Sequence, residues 1–184
     1  MHPRSQHGFT LLEVMLVVVI IAVLTGLATL ALGGNQQRRL QHEAERLQQV
    51  LQLLRDEAEQ QQLELGIRFT PNGYQVLRLD QVSLTWQSMQ EKPFSAHEFA
   101  LPLAIHLQLE GNSLTPQADD GSEQWLSAGQ ARRSAPVPQL LFLSSGESSA
   151  FELSLGIADN QNPPLWLQSD GFGPITLSSE RPAL

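Results

Sequence analysis

The sequence contains no cysteine. This excludes a disulfide framework, a thiolate zinc site and a cysteine nucleophile, while leaving the compartment open, since a disulfide-free domain can live in either a reducing or an oxidising one. Positive charge is also scarce. Eleven Lys and Arg stand against nineteen Asp and Glu, a formal net charge of -8, so nothing advertises an electrostatic grip on nucleic acid. Proline is missing between Pro3 and Pro71, which leaves the first third of the chain free to run as uninterrupted helix. Charged residues make up only 16% of the 184 residues and hydrophobic ones 41%, enough for one membrane helix and one modest globular core but not for two large domains.

What is present begins with an apolar run, Phe9 to Leu32, whose only ionisable side chain is Glu13. At about 1.5 Å per residue the run reaches roughly 36 Å as a helix, enough to cross a ~30 Å hydrocarbon core with some tilt. A charge placed in a membrane helix costs about 2.5–3.5 kcal/mol at the centre and less near the ends, so Glu13 either stays wet among headgroups or has a partner. The short polar leader carries Arg4, which keeps the N-terminus cytoplasmic by the positive-inside tendency and sends the rest outward. A conventional secretory signal, cleaved near Ala31-Leu32-Gly33, is the competing interpretation; the length of the run and the glutamate inside it argue against that.

The string Gly8-Phe9-Thr10-Leu11-Leu12-Glu13, after its polar leader, resembles the class III signal of type IV pilins and type II secretion pseudopilins. The resemblance implies that a prepilin peptidase cuts between Gly8 and Phe9 and methylates Phe9 as the new N-terminus. It also implies that Glu13 neutralises the buried α-ammonium of a neighbouring subunit. Each charge is costly alone in low dielectric, so such a pair would fix axial register and penalise a wrong stagger.

Beyond Gly33-Gly34 the pattern stays helical to about Gln62. Leu40, Ala44, Leu47, Leu51, Leu54 and Ala58 fall on one face with Glu, Gln and Arg between them, a stripe that suits packing against the domain that follows better than a free-standing coiled coil of about three heptads. Glycines 26, 33 and 34 are the expected bending points. After Gly66 the period becomes two. Leu65, Ile67 and Phe69, then Tyr74 and Val76, predict a hairpin closed by an Asn-Gly type turn at Asn72-Gly73. Further strands are expected at Val82, Leu84 and Trp86, along the alternation from Leu101 to Leu109 with Pro102 at an edge or first position, and at Leu140–Leu143, Phe151–Ile157, Leu165–Leu167 and Ile175–Leu177. The expected layout is therefore a leader (1–8), an apolar helix (9–32), an amphipathic continuation (33–62) and a β head (63–184). That head contains a long polar loop, 111–138, in which Trp125, Arg132 and Arg133 are candidate partner contacts.

The run Leu140-Leu141-Phe142-Leu143-Ser144-Ser145-Gly146-Glu147-Ser148-Ser149, the strand with Phe151 and Leu153, and the closing Gly171-Phe172-Gly173 resemble the head of the H-type minor pseudopilins and their FimT relatives. The implied fold is α+β and type IV pilin-like: a long N-terminal helix packed on a head of two antiparallel sheets. The resemblance implies a structural subunit of the type II secretion pseudopilus near its tip, supporting export of folded proteins, anchored in the bacterial inner membrane with a periplasmic head. Its implied partners are the major pseudopilin, the other minor pseudopilins of the tip, prepilin peptidase and, further off, the secreted substrate or the secretin. A FimT-like minor pilin acting in DNA uptake or pilus assembly is the alternative, but the arginine-rich C-terminal motif of DNA-binding relatives is missing and no nucleic acid is expected.

No enzyme is expected and no cofactor or metal. Gly146-Glu147-Ser148-Ser149-Ala150 misses the nucleophile-elbow pattern by its last residue and lacks a strand–turn–helix context. His42, His97 and His106 are scattered, lack the i, i+4 pairing of a helical zinc site and read as surface residues. Asp119, Asp120 and Glu123 lack the alternate spacing of an EF-type calcium loop and read as solvated.

Overall fold

The computed structural model describes residues 11–109, 112–114, 136–158 and 162–181. The chain divides into two compact units, Met1–Arg38 and Arg39–Leu184. Helix α1 is assigned over Leu11–Gln61, a proline-free stretch rich in Leu, Gln, Glu and Arg, all strong helix formers. Its end is built by local chemistry. Gln62 adopts φ 55° and the Leu63 N–H donates to the Ala58 carbonyl at 3.0 Å, the bond of a Schellman cap. The Gln62 amide then reaches back to the Glu59 carbonyl at 2.9 Å, and partly buried Leu63 packs onto the core.

Two antiparallel sheets follow. The first runs β3 (Thr85–Ser88), β2 (Gly73–Asp80), β1 (Leu65–Thr70), β7 (Leu140–Phe142), with short β4 (His97–Glu98) also paired to β2. The second runs β10 (Thr176–Ser178), β9 (Leu165–Ser169), β8 (Phe151–Ile157), β5 (Leu103–Leu109), β6 (Asn112–Leu114). Leu40, Ala44, Leu47, Leu51, Leu54 and Ala58 of α1 are fully buried in one core with Leu65, Ile67 and Phe69 of β1, Ile105 and Leu107 of β5, and Leu153, Leu155 and Leu167 of β8 and β9. The helical stripe read from the sequence is thus the face that closes the head. Pro102 lies just before β5, whose first residues, Leu103 to His106, pair with β8 alone; β6 joins only at Leu107–Leu109.

Three local expectations are corrected. The β1–β2 loop is Pro71-Asn72, because Thr70 pairs with Gly73, and Gly73 is needed for a different reason than a turn. A Cβ on Gly73 would lie 2.0 Å from the His97 carbonyl, so glycine is what lets β4 cross there. The strand expected from Val82 begins only at Thr85. Asp80 Oδ1 accepts from the Val82 and Ser83 N–H groups at 3.0 and 2.7 Å and from Ser83 Oγ at 2.9 Å, which winds residues 81–84 into a turn and leaves Val82 and Leu84 exposed. His97 is not a surface residue either: its side chain keeps only 18% of its accessibility, whereas His42 and His106 are exposed.

Candidate assembly surfaces

Glu13 sits in the first turn of α1, at the start of a helix surface that is apolar on every side. Every large apolar side chain from Leu11 to Leu24 is exposed, by 47–79%. Thr25 hides its polarity by donating to the Ile21 and Ala22 carbonyls at 2.8 and 3.0 Å, the usual arrangement for a hydroxyl in apolar surroundings. A helix hydrophobic all round is stable only when covered by lipid or protein, and each such Val, Leu or Ile gains about 1.5–3 kcal/mol when buried. Among the described residues no helix is long and apolar enough to cross a membrane. The expected processing residues Gly8 and Phe9, and the loop residues Trp125, Arg132 and Arg133, lie outside the described residues, as does the acidic stretch Asp119 to Glu123.

In the head, two polar devices bind α1 to the sheets. Glu43, 8% exposed, faces His97 with Oε2 2.8 Å from Nε2, and its other oxygen accepts from the Ala100 N–H at 3.1 Å. An ionised carboxylate only accepts, so Nε2 carries the hydrogen. The His97 ring leans on Tyr74 and Phe99 with centroids 5.3 and 6.0 Å away. Burial pushes the Tyr74 phenol above its ordinary value; neighbouring Arg46 pulls the other way and the Glu43 carboxylate adds to the rise. A cleft of about 380 Å³ opens beside these residues, lined by Thr70, Asn72, Gln75 and Glu98 among others.

The second device is Arg55. Its Nε donates to the Gly146 carbonyl at 3.0 Å, and its terminal nitrogens donate to the Gly173 and Phe172 carbonyls. Gln48 and Gln52 reach the Ile175 carbonyl at 2.8 and 3.2 Å. Asp170 is held below the usual carboxylate range by the Gly173 and Phe172 N–H groups, and Asp80 likewise by Ser83 and Val82. Neither device brings together a nucleophile, a base and an oxyanion donor, and among the described residues no group of three or more His, Asp or Glu could hold a metal ion. The Gly146–Ala150 stretch leads into strand β8 rather than a helix; the Ser148 N–H donates to the Gly171 carbonyl at 2.8 Å, and Ser149 Oγ accepts from the Leu141 N–H at 3.0 Å.

Residues 3–29 fit the prokaryotic N-terminal methylation motif, and residues 43–170, more than half of the chain, fit the type II transport protein GspH. The chain belongs to the GspH family. Type II secretion system protein H of Pseudomonas aeruginosa is 38% identical over 92% of this chain and 94% of its own length, and that of Aeromonas hydrophila is 28% identical over 96% of each. The minor pseudopilin EpsH of Vibrio cholerae has the same fold, with a TM-score of 0.61 over 79% of this chain and 97% of that one at 22% identity. GspH of Escherichia coli aligns with a TM-score of 0.55, also at 22% identity, over 77% of this chain and 88% of that one. The GspH fold is therefore the α+β helix-on-two-sheets arrangement expected from the sequence.

Sequence reasoning missed Glu43, His97 and Arg55. The available signal was position: Glu43 and Arg55 flank the apolar stripe, Glu43 beside Ala44 and three residues after Leu40, Arg55 four residues after Leu51. Long polar residues at such borders are where a helix ties itself to its neighbours.

Proposed function

We propose that this chain is a minor pseudopilin, a non-enzymatic structural subunit of the periplasmic type II secretion pseudopilus that supports export of folded proteins across the outer membrane. The observation that carries the reading is the joint match to the methylation motif over residues 3–29 and to GspH over residues 43–170, with an apolar helix surface from Leu11 to Leu24 left open for partners. In this reading the leader 1–8 is removed between Gly8 and Phe9 by a prepilin peptidase and Phe9 is methylated. The helix 9–32 waits in the inner membrane, N-terminus cytoplasmic, and then packs the filament core. Residues 33–62 continue it into the periplasmic head formed by 63–184. Glu13 meets the α-ammonium of the next subunit's first residue and sets the stagger.

The neighbours are the major pseudopilin below and the other minor pseudopilins of the tip above, with Trp125, Arg132 and Arg133 of the loop as further contacts. Intact-mass and N-terminal analysis of the mature protein tests the processing step. An N-methylated Phe9 is the expected terminus, and a terminus near Gly33 or Gly34 would overturn it. Glu13→Ala tests the register role, leaving cleavage intact while lowering incorporation into the filament.

A further inference from the structure

Phe172 is an exposed aromatic residue of the head whose backbone is held on both sides beneath a free side chain. The side chain is 68% exposed. Its N–H donates to Asp170 Oδ1 at 2.9 Å, as does that of Gly173 at 2.6 Å, and both carbonyls are held by Arg55. On one side Gly171, at φ 91°, donates to Ser169 Oγ at 3.1 Å. A Cβ there would lie 2.7 Å from the Ser148 carbonyl. On the other side the Ile175 carbonyl takes the Gln48 and Gln52 amides. The fold has thus already ordered the loop that presents the aromatic ring, removing an entropy cost that binding would otherwise meet. Aromatic residues on such platforms are the usual anchors of protein interfaces.

The surroundings define the partner. Arg55 spends its donors on carbonyls, while Asp170, Glu147 and Glu59 are exposed carboxylates. Glu147 follows the Gly146 that Arg55 holds, and Glu59 Oε2 lies 3.3 Å from where a Gly146 Cβ would stand. The complement is an apolar pocket with a basic rim. One ring and its rim fall far short of the ~1,000 Å² that a free-standing complex needs. They suit a contact between subunits already tethered by another interface, where effective concentration makes a small patch count.

We infer that Phe172 is the head's anchor on a neighbouring pilin-fold subunit, seated in an apolar, basic-rimmed pocket. This rests on the filament-subunit reading above. The test uses the full-length chain expressed with the other pseudopilins, carrying a benzophenone photocrosslinker at position 172 or, as a control, at the 96%-exposed Val82. Position 172 should crosslink to another pilin-fold subunit and position 82 should not. Phe172→Ala should weaken co-purification of that subunit about thirtyfold, Phe172→Trp should retain it, and Arg55→Met should weaken it with the ring still present. Phe172→Ala should leave the thermal midpoint within about 2 °C, as for a surface substitution. Equal crosslinking from both positions, crosslinks only to lipid or exported protein, or unchanged co-purification of Phe172→Ala would overturn the inference. Glu13→Ala separates the two levels: if it blocks incorporation while Phe172→Ala is silent, only the anchor falls; if neither has an effect, the filament-subunit reading falls with it.

Discussion

Glu43→Ala probes the tie between α1 and the edge of the first sheet. The substitution strands two donors, His97 Nε2 and the Ala100 N–H, which now lie 2.8 and 3.1 Å from the two carboxylate oxygens. A buried donor left unpaired costs about 1–3 kcal/mol, and breaking a buried pair by removing one partner about 3–5 kcal/mol. Because the two side chains keep 18% and 10% of their accessibility, water can partly reach the stranded groups, and the expected loss sits toward the lower end, about 2–3 kcal/mol. For a head of this size that is a fall of roughly 5–10 °C in thermal midpoint. Circular-dichroism melts of the wild type, Glu43→Ala, His97→Ala and the double variant give the cycle. The double variant should cost less than the sum of the singles by about 1–2 kcal/mol, since removing the second partner removes the orphan. Strict additivity, or a Glu43→Ala loss under about 0.5 kcal/mol, would show that the pair carries no structural weight.

Gly171→Ala should cost about 1–3 kcal/mol in urea unfolding, because a side chain is forced to φ 91° against the Ser148 carbonyl; a neutral result would mean the loop relaxes freely. Gly73→Ala should release β4 from β2, seen as faster amide exchange at Tyr74 and Phe99. Asp80 and Asp170 have folded pKa values below their unfolded ones. The stability they contribute is present above the ordinary carboxylate value of about 3.9 and is lost as pH falls through the lower folded values. Asp80→Asn should therefore flatten the acid limb of a midpoint-versus-pH curve and leave the neutral region little changed in slope. Tyr74 is the sole tyrosine, so phenolate absorbance reports it alone. With its folded pKa raised, its contribution is full below about 10 and is lost as pH rises through the higher folded value; ionisation should lag that of free tyrosine and coincide with alkaline unfolding.

The parts legible in the sequence were those governed by period. The stripe Leu40 to Ala58 and the alternation of Leu103, Ile105 and Leu107 are direct imprints of burial, and both reached the core. What stayed hidden depended on contacts between distant segments. Nothing near His97 in the chain announces Glu43, and β4 is two residues long, too short for any alternation to show. The turn at Val82–Leu84 misled because two apolar residues two apart imitate a strand, whereas the Asp80 side chain, bonding forward to the next residues, decided otherwise. The loop around Phe172 was visible as a glycine-rich closing segment, but its fastening to Arg55 was not.

The stitching of Gln48 and Gln52 to Ile175 has a consequence for how the chain is made. These bonds join residues separated by 127 and 123 positions, so nearly the whole head must leave the ribosome before its first-made helix is fastened to its last-made residues. Contacts this distant in sequence slow folding. Until Leu165, Leu167 and Ile175 arrive, the core they share with Leu47, Leu51 and Leu54 is incomplete. A subunit cut short at its C-terminus would thus betray itself by an open core, which offers the cell a test of completeness before assembly.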